Sequence, residues 1–229
     1  MLKQRKILAC VDQSPYADYV ADYAAWAARK LVLPLELLHI IDRHQEISAS
    51  TDHSGAIGVD AQENLLSQLT EEEGTRTRQV RDRGRVFLNG LRQRCEANEA
   101  ISVDTRQRYG QLLGTLEEQQ QDVALYVLGR RGESAAHTRR DLGRHVEMIS
   151  RQVRRPILTV AGEFVEPRSA LIAYDGKRMT RRCVELIAQN PKLNDIPVHV
   201  IMSGKRATDA DKHLQWAKDT LNTAGFTVE

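Results

Sequence analysis

Ile7-Leu8-Ala9-Cys10-Val11, closed by Asp12, is the stretch that decides the fold. An unbroken apolar run fits a strand buried on both faces, as in a parallel sheet. Ser14-Pro15 then reads as a helix start, with Ser at the N-cap and Pro at the first helical position. Ala17, Val20, Ala21, Ala24, Ala27, Ala28 and Leu31 recur at helical spacing. Pro34 stops that helix, and Leu35 to Ile41 reads as a second strand. Strand, helix and strand in such quick succession make a βαβ unit.

The alternation continues outward from this unit. Residues 42–60 are polar and hold Ser54-Gly55 and Gly58, so they read as a loop. Residues 61–97 read as one long helix or two, with Val80, Phe87, Leu88, Leu91 and Cys95 supporting the second half. A third strand is expected at Ile101 to Arg106 and a short helix at Leu112 to Gln121. Val123 to Leu128 is a second continuous apolar run and a fourth strand. A glycine-bearing loop spans Gly129 to Gly143, Val146 to Val153 is helical, and Ile157 to Val160 is a fifth strand. Such alternation predicts an α/β fold, a five-stranded parallel sheet with helices on both faces. Right-handed crossovers fix its hand.

The second half repeats the first. Ala170-Leu171-Ile172-Ala173-Tyr174-Asp175 matches Leu8 to Asp12 in pattern. A helix (Thr180 to Gln189), a strand (Val198 to Met202), a helix (208–224) and a third strand (Gly225 to Glu229) follow. This is a partial second copy. The domains read as 1–162 and 168–229, linked by Glu163 to Arg168. The first copy continues beyond its third strand, from Val103 through to Val160, and the second has no such continuation. Half a sheet leaves an open strand edge. The expectation is a truncated product, a fragment or a chain incompletely covered.

Composition narrows the class. The chain has 229 residues, 41% hydrophobic and 28% charged, which suits a globular protein and not a disordered or fibrous one. Aromatics are 5%, so the core is mostly aliphatic. No stretch approaches the ~20 apolar residues of a membrane span. Met1 to Lys6 shows no leader pattern, and three separated cysteines form no disulfide framework or CxxC site. A cytoplasmic location and no membrane partner are expected. Lys+Arg 33 against Asp+Glu 31 leaves +2, too even for nucleic acid as the main partner.

Arg76, Arg78, Arg81, Arg83, Arg85, Arg92 and Arg94 make one helix basic, but Glu71, Glu72, Glu73, Asp82 and Glu96 offset them. The helix reads as a solvated face laced with salt bridges, without the aromatics of an RNA surface. His39 reads as a core or rim residue, and His44, His53 and His137 lack metal-ligand spacing. Cys10, inside a strand, reads as an inert thiol. Ser14 and Ser134 have no triad companions. No catalytic set and no metal site emerge.

Chemistry concentrates in the loop after the fourth strand. Gly129-Arg130-Arg131-Gly132 sits where that strand ends, and Gly143-Arg144-His145 where the next helix begins. Glycines permit tight turns and close backbone approach. A helix N-terminus adds free N–H donors and partial positive charge, so the two together can hold a phosphate. Ligands of open α/β sheets bind beyond the carboxyl ends of strands. Asp12 ends the first strand, which is expected beside the fourth, and its carboxylate could accept from a ribose or a base. The loop is neither a Walker A nor a GxGxxG fingerprint.

Three stretches together resemble the universal stress proteins, in particular the tandem two-domain bacterial type. They are Lys6 to Asp12 with Ser14, Tyr23 to Lys30, and Leu37 to Asp42. Val127 to Gly132, Leu142 to Glu147 and Arg155 to Leu158 extend the likeness. The resemblance implies an adenine nucleotide alpha hydrolase-like fold, a role in stress tolerance and a bound ATP, ADP or AMP, with which Mg²⁺ could travel. It also implies a homodimer or pairing of the two domains. The family's loop runs Gly, two residues, Gly, about nine residues, Gly, then Ser or Thr. Gly129, Gly132 and Gly143 match it with ten residues in the last gap, and Arg144 stands where the hydroxyl belongs. By the same resemblance Asp12 would touch ribose or adenine, and Ile40 and Leu128 would flank the base. The leading expectation is a non-enzymatic nucleotide-binding stress protein. The alternatives are an interaction protein with a degenerate, empty pocket and a slow nucleotide hydrolase.

Overall fold

A computed structural model describes residues 5–41, 59–97, 101–132, 144–202 and 209–229. The chain divides into two compact units, residues 1–29 with 33–164 and residues 30–32 with 165–229.

In the first unit β1 (Lys6–Cys10) lies at the centre of the sheet. The strand order is β3-β2-β1-β4-β5, with β2 at Leu35–Ile41, β3 at Val103–Tyr109, β4 at Val123–Gly129 and β5 at Ile157–Val160. Every pairing is parallel. The unbroken apolar run of β1 is explained by this position, since Ile7, Leu8 and Ala9 are each 0% exposed between two strands and two helical layers. β1 and β4 are neighbours, Ala9 opposite Val127 and Cys10 opposite Leu128, as the sequence reading requires.

α1 (Ala17–Leu31) buries Ala17, Val20, Ala21, Ala24, Ala25, Ala27 and Ala28. The small side chains let it lie close to the sheet. Its start differs from expectation. Ser14 Oγ accepts from Tyr16 N–H at 3.4 Å, residues 15 and 16 form a turn, and the helix proper begins at Ala17. α2 (Val59–Ala97) is one continuous helix. It packs beside α1, with Cys95 Sγ 3.6 Å from the Ala21 carbonyl and Arg94 paired to Asp22 at 2.7 Å. α3 (Leu112–Gln119) and α4 (Arg144–Gln152) cover the opposite face. There Leu8, Leu38, Leu128, Leu116, Val146 and Ile149 form a continuous cluster with Tyr126. Right-handed crossovers that run outward from β1 in both directions produce this layering.

The third strand is found at Val103–Tyr109 and not at 101–106. It is the sheet edge, and edge strands keep charged residues along their length, here Asp104, Arg106 and Arg108. The apolar cue at Ile101 therefore marks the approach to the strand and misses its end.

The second unit holds β6 (Ala170–Ala173), α5 (Arg178–Ala188), β7 (Val198–Ile201) and α6 (Ala210–Thr223). Its register reproduces that of the first. Ile7 pairs with Leu35 and Ala170 with Val198, the same spacing along the chain in each case. Ile7 N–H donates to Pro34 and Ala170 N–H to Pro197 in the same way. The third strand expected at Gly225 to Glu229 is reduced to a single parallel bridge, Val198 opposite Val228. Val198 donates to the Thr227 carbonyl and accepts from Glu229 N–H, while Val228 and Phe226 enter a core with Tyr174, Val184 and Leu221. Hydrophobic anchoring thus outlasts the ladder.

Candidate functional site

β1 ends at Cys10, and Val11 and Asp12 leave the sheet together. Val11 N–H still donates to the Leu38 carbonyl at 2.9 Å, so the strand's direction is held up to the residue before Asp12. Asp12 Oδ1 then accepts from Ser14 N–H at 3.2 Å. This Asx turn folds the carboxylate back over the strand end, and it arises from the Asp side chain competing for a nearby backbone donor. Asp12 is thereby oriented by the backbone two residues on.

β4 delivers Gly129 and Gly132 to the same end of the sheet. A Cβ at Gly132 would stand 2.7 Å from Asp12 Oδ2, well inside van der Waals contact. A Cβ at Gly129 would stand 2.9 Å from the Arg131 carbonyl oxygen and 3.5 Å from Tyr16 Cβ. The loop folds tightly on itself here and backs onto the turn that starts α1. Both glycines are required by close approach and not by an unusual φ. Arg130 N–H is committed to the Val160 carbonyl at 2.7 Å, so β5 fixes the loop's departure and that amide is held within the protein.

The structure brings Asp12, Gly129 and Gly132 together. Gly143 lies outside the described residues, as do Ser134, His44, His53 and His137. Arg144 and His145 are the first two residues of α4, a helix start, as the sequence reading has them. Leu128 is 3% exposed and belongs to the core under α3 and α4, and Ile40 packs partly buried against the same cluster.

His39 is 8% exposed, and its Nδ1 lies 3.0 Å from the Val11 carbonyl, which ties β2 to the exit of β1. Its ring also meets Phe87 edge-on at 5.5 Å, so the core reading of this histidine is the one the structure gives. Burial pushes the Cys10 thiol up to about 12, with the Glu36 and Asp12 carboxylates adding to the effect. Such a thiol is no nucleophile near neutral pH. Among the described residues no group of three His, Cys, Asp or Glu could hold a metal ion.

Sequence reasoning missed the open space beside this cleft. A cavity of about 660 Å³ lies against Gln13, next to Asp12, and is otherwise lined by Gln79, Asp82, Arg83, Val86 and Phe87 of α2. Gln13 and Gln79 are remote in sequence, and only the packing of α2 on the sheet joins them. The one sequence signal is Phe87 among the inner positions of a basic helix.

Fold and topology define an open, parallel α/β protein whose candidate site lies beyond the carboxyl ends of β1 and β4. The sequence pattern of the universal stress protein family matches residues 3–161. The chain is 32% identical over 228 residues to the universal stress protein Slr1230 of Synechocystis, a match spanning 98% of this chain and 79% of that one. The chain belongs to the universal stress protein family. The crystal structure of a universal stress protein from Archaeoglobus fulgidus superposes with a TM-score of 0.63 at 17% identity, covering 98% of this chain and 76% of its own. A universal stress protein from the same organism, solved in complex with dAMP, matches 70% of this chain and 99% of its own at 14% identity and a TM-score of 0.40.

Proposed function

We propose that this protein binds an adenine nucleotide at the β1–β4 cleft without fast turnover and acts in the stress response. One observation carries the reading. The Asp12 carboxylate stands where a Gly132 side chain would be, so strand end and glycine loop share one cleft that only glycine keeps open. Asp12 would accept from the ribose hydroxyls or the base. Gly129, Gly132, Gly143 and the α4 start at Arg144 and His145 would receive the phosphates through backbone N–H groups. Ile40 and Leu128 would border the base. Asp12 is the carboxylate at hand for a Mg²⁺ that travels with the nucleotide. Hydrolysis would need a positioned water and more metal ligands than this, which favours binding over catalysis.

Residues 168–229 are, on this reading, a partial second copy of the same domain. The reading places the protein in the cytoplasm, as a homodimer or with its two copies paired, and without nucleic-acid or membrane partners. Titration calorimetry with ATP, ADP and AMP tests the nucleotide reading. Saturable binding that Asp12→Asn weakens supports it, and no heat at millimolar nucleotide with folded protein overturns it. Arg144 favours a second reading, a degenerate pocket, because a guanidinium replaces a hydroxyl at the helix start. A gain of affinity in Arg144→Ser supports that reading, and a loss argues that Arg144 itself engages phosphate.

A further inference from the structure

Among the described residues the basic face of α2 does not resolve into salt bridges throughout. Arg94 pairs with both Asp22 and Asp18, and Arg92 approaches Glu96. Arg81 Nε stands 3.9 Å from Asp82 Oδ1, the outer limit of an ion pair, and among the described residues no carboxylate pairs with Arg85. Arg81 and Arg85 are one helical turn apart and share a face. That face borders the edge strand β3, where Thr105, Gln107 and Tyr109 alternate onto one side.

Between them runs a groove of about 540 Å³, within the size range of small-ligand sites. Leu88 and Asn89 also line it, and among the described lining residues there is no carboxylate. Gln107 Nε2 is buried there without an acceptor. A Cβ at Gly84 would stand 2.2 Å from that nitrogen, so the missing side chain is what lets the amide lie against the helix. A buried donor without an acceptor is a penalty that a ligand oxygen removes. Two guanidinium groups, an amide donor and the Thr105 hydroxyl make a surface rich in donors, which is what a phosphoryl oxygen needs.

We propose that the groove between α2 and β3 binds a small anion bearing two or more phosphoryl groups, with Arg81 and Arg85 each taking one and Gln107 fixing the register. Among the described residues the groove shares no lining residue with the Asp12 cleft. Volume favours a compact anion over a polymer, and Tyr109, the one aromatic among the described lining residues, offers no platform for successive stacked bases.

Calorimetry with inorganic pyrophosphate on the full chain tests this, with the Gln107 side-chain amide followed by NMR. The expected result is saturable binding, a shift of the Gln107 amide resonance, and a loss of about tenfold or more in R81Q/R85Q. Gln107→Leu should weaken binding about threefold or more with the arginines intact. Both arginines are exposed, so their removal leaves the fold standing, and circular dichroism of R81Q/R85Q confirms it. Pyrophosphate binding that persists unchanged in R81Q/R85Q overturns the proposal, as does the absence of binding. Preference for an RNA oligonucleotide with no pyrophosphate response overturns it in favour of a nucleic-acid surface.

Discussion

β1 with Asp12 and β6 with Asp175 are the same device in two settings. Each strand pairs in parallel with the next strand in the chain at the same offset, and each ends in an Asp whose carboxylate caps the backbone two residues on. Asp175 Oδ1 accepts from Lys177 N–H at 2.9 Å as Asp12 Oδ1 does from Ser14 N–H. The surroundings differ. β1 lies between β2 and β4, whereas among the described residues β6 pairs with β7 alone. Leu8 and Leu38 are 0% exposed under α3 and α4, and their counterparts Leu171 and Ile201 are 64% and 47% exposed. The Asp turn is a local product of sequence. The cleft beside it exists only where a second strand and its glycine loop arrive from far along the chain.

The sharpest test of this contrast is a pair of truncations. Leu8→Ala should cost about 2–5 kcal/mol in urea unfolding, because it leaves a cavity in a closed core. Leu171→Ala should change stability by no more than about 0.5 kcal/mol, because that side chain is mostly in water already. Equal costs would mean that the β6 face is covered in solution.

Next in size are the two aspartates. Asp12→Asn should lower adenine nucleotide affinity about tenfold, as expected for loss of a charged acceptor. Asp175→Asn should leave that affinity where it was, since no β4 counterpart faces Asp175 among the described residues. Calorimetry on both variants reads the difference, and equal losses would place the ligand elsewhere.

The glycines should divide in the opposite sense. At Gly132 an added Cβ displaces the Asp12 carboxylate, a movable group, so Gly132→Ala should reduce affinity with a stability change under about 1 kcal/mol. Gly176 has φ +73° and lies against the His213 ring at 2.8 Å from a built Cβ. Gly176→Ala should therefore lower stability by about 1 kcal/mol or more and leave nucleotide binding alone.

The smallest effect is in the thiols. Burial, chiefly, pushes both Cys10 and Cys95 up to about 12, while Cys183 on α5 is exposed. At about pH 8 a thiol reagent should modify Cys183 in the native protein and reach the other two only on unfolding. The unfolded chain ionises these thiols from pH 9 upward, and the folded protein keeps them protonated toward pH 12. Folding stability should therefore fall as pH rises across that window. Unfolding midpoints measured from about pH 8 to 11 check the sign.

What the residues disclose in advance follows the range of each signal. The βαβ start is legible because a buried parallel strand needs an unbroken apolar run, and Ile7 to Val11 has one. The end of β3 is not, because an edge strand carries charge and gives no such run. The Asp12 and Gly132 pairing follows from strand adjacency, a topological rule. The groove at Arg81, Arg85 and Gln107 follows from no rule of that kind, since a basic helix face reads the same in sequence whether carboxylates answer it or not.

The order of strands and helices, the matching register of the two units and the Asp turn at each strand end were settled by the sequence itself, because each rests on neighbours within one supersecondary unit. Which Asp meets a glycine loop, which leucines are dry and which arginines lack carboxylates among the described residues were decided by tertiary packing alone. Those properties depend on what covers a residue from distant parts of the chain, and no local pattern encodes the cover.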